Sequence, residues 1–290
     1  MERITSKIPF RWALLAPLIL LLAVFVAYPL GYSFYLSLTD FTLLQRSGEF
    51  VGFDQYSKVL ANDDYWTSMR ITGVYVVIAV SLELVLGLLI AMALQQQRRA
   101  RNITRAMLLV PMFIAPVAIG LTFRFLLNQQ LGVIPVLLGK IGIEIDFFSP
   151  GLALITLALI DVWQWTPFMV LLFLSGLESR PQAPLEAARM DGASAWLTFR
   201  ALTLRMLAPV ITVAVIVRVL EASKLFEYVY VVTGGGPGGS TESVQYLMYQ
   251  TGIRFFRLGE ASAMAFVLLA ILLIPIVLFF RGMRREGAGA

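Results

Sequence analysis

The chain has 290 residues, 59% of them hydrophobic and only 14% charged, with a formal net charge of +5 and a mean hydropathy of +0.80. Soluble domains carry about 25% charged residues, so this composition belongs in lipid. With no cysteine and no histidine, the chain cannot build disulfide frameworks, thiolate chemistry, the commonest zinc sites, or hydrolases of the Ser-His-Asp or Cys-His kind.

The N-terminal stretch MERITSKIPFRWALLAPLILLLAVFVAYPL opens with Arg3, Lys7 and Arg11, and no charge follows until Asp40. The run exceeds a signal-peptide h-region, lacks a clear small-residue cleavage site and precedes further apolar runs, so it reads as an uncleaved membrane helix. A spanning helix takes roughly 20 apolar residues. Six runs qualify, at about 12–36, 70–94, 106–127, 150–177, 206–232 and 259–280. Each is expected to be helical, because backbone groups in hydrocarbon need partners within their own segment. A β-barrel would instead show short alternating segments. Pro17, Pro29, Pro111, Pro116, Pro167, Pro209 and Pro275 predict kinks. No internal repeat or low-complexity linker divides the chain, so the expectation is one all-α polytopic membrane domain over residues 1–290.

Placement of lysine and arginine orients the spans. One side receives Arg3, Lys7 and Arg11, then Arg98, Arg99, Arg101 and Arg105, then Arg180, Arg189, Arg200 and Arg205, then Arg281, Arg284 and Arg285. The other receives Arg46, Lys58, Lys140, Arg254 and Arg257. Both termini, the 95–105 loop and the 178–205 segment are therefore expected in the cytoplasm. Residues 39–69 hold five acids and several aromatics on the outer side, where a short amphipathic helix is predicted.

Three polar features interrupt the apolar runs. VVTGGGPGGST at 231–241 invites a phosphate-loop reading, but the P-loop pattern needs a lysine after the glycines and none follows. The loop is read as a turn leaving the fifth helix. Asp161, Gln164 and Trp165 stand at i, i+3 and i+4, on one face of the fourth helix. They suit either sugar binding, with hydroxyls on the polar groups and a ring face on the indole, or interhelical hydrogen bonding. Arg218, Glu221, Lys224 and Glu227 repeat every three residues along the fifth run, as an intrahelical ion-pair row or as a polar stripe lining a path. Glu83 and Arg124 are candidates for buried pairing across helices, with partners undetermined.

The segment LEAARMDGASAWLTFRALTLRMLAPV lies between the fourth and fifth spans. Helix formers over Leu185–Met190, then Gly192, predict a short helix closed at the glycine, and Ala193–Leu204 predicts a second helix entering the next span. Two helices meeting at a glycine make a compact cytoplasmic knob. Ala187, Ala188, Met190 and Ala193 supply small apolar surface, and Glu186 and Asp191 supply carboxylates for a basic partner. An amphipathic connector with solvated charges accounts for the same residues.

The order Glu186-Ala187-Ala188, Asp191-Gly192-Ala193, then Phe199 and Pro209, resembles the EAA signature of permease subunits of binding-protein-dependent ABC importers. FVGFDQY followed by YWTSM, and KLFEYVYVVTGGGPGGSTESVQYLMYQTGIRFF followed by GEASAMAF, resemble the maltose/glycerol-phosphate branch of sugar permeases, with a glycine-rich loop like that of the first of two partner permeases. The resemblance covers most of residues 15–280. It implies the type I importer permease fold, six transmembrane helices with a cytoplasmic coupling-helix loop between helices four and five. It implies a subunit of the bacterial inner membrane that carries no catalysis and binds no cofactor or metal, ATP and Mg being held by a cytoplasmic ABC ATPase dimer. The other implied partners are a second permease, an extracytoplasmic sugar-binding protein or lipoprotein, and membrane lipid, with no role for nucleic acid. Glu186 would be the ionic anchor in the ATPase cleft and Gly192 the turn. Asp161, Gln164, Trp165, Glu221, Lys224 and Glu227 become substrate-path candidates. The family's Leu-Pro pair after the second short helix reads Leu204-Arg205 here. The alternative, an ion-coupled secondary transporter, is expected to show paired repeats with broken helices, and the sequence displays none.

Overall fold

The computed structural model of the chain describes residues 10–97 and 101–287. Arg3, Lys7, Arg98 and Arg99 lie outside them, as do the side chains of Arg11, Arg101, Pro275, Arg281, Arg284 and Arg285. The described residues are mostly helical, joined by turns and loops, with only isolated bridges such as Thr39 opposite Phe50. The chain divides into two compact units, one comprising Met1–Tyr65 with Met248–Ala290, the other Trp66–Leu247.

In the first unit, α1 (Phe10–Leu22) and α2 (Tyr28–Ser37) are joined through a π-helical turn at Ala23–Ala27. The turn falls immediately before Pro29, whose missing N–H a regular helix could not accommodate without loss. Leu14–Ser37 is apolar and exposed over most of its length, the pattern of a helix solvated by lipid or by another helix and not by water, and only its last turn, at Leu36 and Ser37, is buried. The predicted amphipathic helix of the outer loop is α3 (Asp54–Leu60), steadied by an Asp54–Lys58 ion pair at 2.7 Å. Its Tyr56 hydroxyl meets the Ser37 hydroxyl at 2.7 Å. The last helix, α13 (Leu258–Gly287), packs on α2 and α3, with Phe34 and Phe266 in an edge contact of 5.3 Å between ring centroids.

The second unit is built around α4 (Asp63–Gln96), α8 (Ala153–Ser179) and α11 (Leu204–Ala222). The helix α8 is the most enclosed, with Leu157, Ile160, Met169, Phe173 and Leu177 all buried. Pro167 and Pro209 lie inside α8 and α11 without ending either helix. The run 106–127 is not one straight span. The helix α5 (Arg101–Leu109) and a 3-10 turn at Val110–Phe113 meet α6 (Pro116–Leu126) at 91°. Pro116 enforces the corner, since the residue before a proline is pushed to extended backbone, and Ala115 adopts φ −60°, ψ 134°. The run 206–232 is likewise divided: α11 ends at Ala222, and a π-helical turn at Val229–Thr233 follows the break. Lys224 and Glu227 therefore lie beyond the helix that carries Arg218 and Glu221, and the four do not form one continuous row. The remaining short helices are α7 (Val133–Gly139), α9 (Ala183–Met190), α10 (Ala195–Thr198) and α12 (Val244–Tyr249).

Candidate functional site

Arg218 is the centre of a buried cluster. Its Nε donates to Glu83 Oε2 at 2.6 Å, and its Nη2 donates to Glu83 Oε1 at 2.6 Å and to Asp161 Oδ2 at 2.8 Å. Relative exposures of Arg218, Glu83 and Asp161 are 1%, 0% and 3%. One guanidinium thus joins α4, α8 and α11, using the planar fork that only arginine offers. The guanidinium also lies over the Trp165 ring, 5.0 Å from its centroid, a cation–π contact strengthened by the absence of water. Two carboxylates face one cation here, so the cluster carries a formal charge of −1. Glu83, whose partner the sequence left undetermined, is paired with Arg218.

Arg124 has a different task. It donates from Nη1 to the Val231 carbonyl at 2.8 Å, a carbonyl in the π-helical turn. Gln164 serves the other break: its Nε2 donates to the Ile114 carbonyl at 2.8 Å, at the corner between α5 and α6. Its Oε1 accepts from the Tyr228 hydroxyl. Ser243 donates to the carbonyl of Leu225, just past the end of α11, and Thr72 Oγ1 accepts from the Val244 amide at 3.0 Å, at the start of α12. Irregular backbone at membrane depth survives only where protein supplies the lost partners. Ser243, Thr72 and Tyr228 belong to this machinery although nothing in their spacing marks them.

Above the cluster opens a cavity of about 130 Å³ lined by Asp161, Trp165, Arg218 and the aromatic rings of Tyr75 and Tyr228. Glu221, Lys224 and Glu227 also line it, with Pro116, Ala222 and Leu225. Lys224 is bound to Glu221 at 2.8 Å, and both are exposed. Five of the six substrate-path candidates therefore meet at one cavity. The sixth, Gln164, is 1% exposed and engaged with Ile114 and Tyr228 behind that wall.

The 178–205 segment forms the predicted pair of short helices. The helix α9 begins at Ala183, two residues before the expected start at Leu185, because Pro184 fits its first turn. It ends in a Schellman closure: the Ala193 amide donates to the Ala188 carbonyl at 2.9 Å and the Gly192 amide to that of Arg189 at 3.1 Å. Gly192 has φ +73°, the left-handed geometry that favours glycine. Ser194 then caps α10, its hydroxyl accepting from the Leu197 amide at 3.3 Å. The helix runs on through a π-helical turn at Phe199–Thr203 into α11, so Arg205, in place of the family's proline, stands in continuous helix. Leu185 is buried beneath the knob, while Glu186, Ala187 and Asp191 are exposed and Ala188 and Ala193 half-buried. Met190 and Trp196 are 88% and 68% exposed.

Arg180 fastens the knob. It donates to Thr203 Oγ1 at 2.9 Å and to Gln95 Oε1 at 3.3 Å, and Gln95 in turn donates to the Leu177 carbonyl at 3.3 Å. Burial, with Arg189 nearby, pushes the Arg180 guanidinium below its usual value, though an arginine stays charged across the physiological range. The same three elements that Arg218 joins at depth are thus joined again at their ends by Arg180.

Comparison with known proteins agrees with this architecture. The chain is 36% identical to a probable ABC transporter permease protein of Sinorhizobium fredii over 274 residues, 93% of this chain and 87% of that protein. It is 34% identical to the trehalose/maltose transport system permease protein MalF of Thermococcus litoralis over 267 residues, 89% of each. The fold matches a chain of a bacterial alginate ABC transporter, solved in complex with an alginate pentasaccharide-bound periplasmic protein, with a TM-score of 0.80 at 22% identity over 98% of both chains. Residues 83–285 match the model of the binding-protein-dependent transport system inner membrane component, and the chain belongs to that family.

Proposed function

We propose that the chain is one of two permease subunits of an ATP-driven importer that carries a sugar or related polyol, delivered by an extracytoplasmic binding protein, across the bacterial inner membrane. The observation that carries this reading is the pairing of an exposed knob with a polar cavity in one helical unit. The knob supplies a carboxylate at Glu186 and apolar surface at Met190 and Trp196, the chemistry of a plug for a basic-rimmed cleft on a cytoplasmic ATPase. ATP and Mg would be bound by that ATPase and not by this chain. The charge asymmetry supports both termini and the knob lying in the cytoplasm, and the whole chain then acts as one permease domain.

The coupling would run through the helices themselves. Movement of the knob is transmitted by Arg180 to the ends of α4, α8 and α11, and Arg218 keeps the three helices in register deeper in the membrane. Asp161, Trp165, Glu221, Lys224 and Glu227 would face the substrate along its path, with Gln164 holding the corner behind them. The test is Glu186→Ala in the assembled complex. ATPase subunit retained through detergent extraction should fall several-fold while membrane insertion is unchanged; full retention with unchanged uptake would overturn the anchor role.

A further inference from the structure

Each cation in the cavity wall is already committed to a carboxylate. Arg218 is held between Glu83 and Asp161, and Lys224 is bound to Glu221. Glu227 then remains as a carboxylate of the wall with no ion pair among the described residues. Counting Glu83 directly behind Asp161, four carboxylates stand against two cations, a formal charge of −2 around a space of about 130 Å³. Even with one proton shared between the two buried acids, carboxylates outnumber cations. The rest of the wall is apolar and aromatic: Pro116, Ala222 and Leu225 with the rings of Trp165, Tyr75 and Tyr228, the Tyr228 hydroxyl being already given to Gln164. A concave wall of one net sign focuses its field on whatever enters, most strongly beside the buried Asp161.

We propose that this cavity is a charge filter that accepts uncharged polyhydroxylated ligands and turns away sugars bearing phosphate, carboxylate or sulfonate, with Glu227 as the residue that sets the selection. The proposal rests on the sugar-importer reading and names its substrate class. An anion entering the wall would meet the surplus carboxylates with no uncommitted cation to receive it. A neutral sugar instead offers hydroxyls to the carboxylates as donors and its C–H face to the rings, so the same wall attracts it. Specificity of this kind comes from the repulsive element as much as the attractive one. Glu227 is exposed, on the segment beyond α11, so its substitution leaves the buried cluster untouched.

The test uses the complete complex in nanodiscs. Neutral sugars are titrated against their anionic counterparts, namely trehalose with trehalose 6-phosphate, maltose with maltose 6-phosphate, and glucose with glucuronate. The neutral member of at least one pair should bind at least tenfold more tightly. Glu227→Gln should narrow that gap at least threefold and Glu227→Lys should close or reverse it, whereas Glu144→Gln, in an exposed loop outside the cavity wall, should leave it unchanged. Equal or tighter binding of the anionic member, or a gap indifferent to both Glu227 variants, overturns the filter while leaving the sugar importer standing. Failure of every sugar to bind, neutral or anionic, overturns the filter and the sugar reading together.

Discussion

The Arg218 cluster has two acids for one base, and that asymmetry makes the consequences of substitution unequal. Replacing Arg218 by Met removes the three hydrogen bonds it gives to Glu83 and Asp161 and leaves two carboxylates facing each other without water. Removing one partner of a buried ion pair costs about 3–5 kcal/mol, chiefly from the stranded charge. Glu83→Gln differs in kind. Asp161 still neutralises the guanidinium, the glutamine carbonyl still accepts one N–H, and one donor–acceptor contact is lost, a cost of about 1–3 kcal/mol. At roughly 3 °C per kcal/mol for a body of this size, the detergent-solubilised chain should lose about 9–15 °C of melting temperature for Arg218→Met and about 3–9 °C for Glu83→Gln. In the double variant Arg218→Met/Glu83→Gln the loss should be smaller than the sum of the two, since one of the stranded carboxylates has gone. Intrinsic fluorescence during heating reads all three. A Glu83→Gln loss equal to or greater than that of Arg218→Met, or strictly additive losses, would refute the assignment of the cluster as a base shared by two acids.

Gln164→Leu should cost about 1–3 kcal/mol by leaving the Ile114 carbonyl unpaired, and should speed amide exchange at the 91° corner before it speeds exchange in α8; unchanged exchange at residues 113–118 would count against the role. Gly192→Ala places a side chain where φ is +73° but meets no atom within 4 Å, so the cost should be purely conformational, about 1 kcal/mol. That is enough to loosen the Schellman closure and lower uptake with membrane expression unaltered; unaltered uptake and a knob equally protected from protease would contradict it.

The apolar runs were legible because lipid imposes length and helicity on them at once, and the two short helices of the knob were legible because Gly192 punctuates a run of helix formers. The corner at residues 113–116 carried its proline signal, yet prolines at 167 and 209 pass inside helices, so proline alone does not say which span will break. The break after Ala222 has neither proline nor glycine at its point of rupture. It is held by Ser243 taking the Leu225 carbonyl, a partner 18 residues away that no local pattern announces. Periodicity put Asp161, Gln164 and Trp165 on one face, and they are so placed. It could not say that Gln164 turns toward a broken backbone, or that Glu83 pairs with Arg218 across 135 residues of sequence. Such pairings depend on helix rotation and depth, and these are set by packing such as the approach of Met169 to Gly87, not by the composition of either helix.

In the proposed function this chain receives mechanical work from a partner ATPase and uses it to move a sugar. The direct measurement is uptake of radiolabelled sugar by proteoliposomes containing the chain with its second permease, its ATPase and its binding protein. Accumulation should require ATP and the binding protein together and be lost without either. Accumulation driven by an ion gradient, with ATP absent, would contradict it.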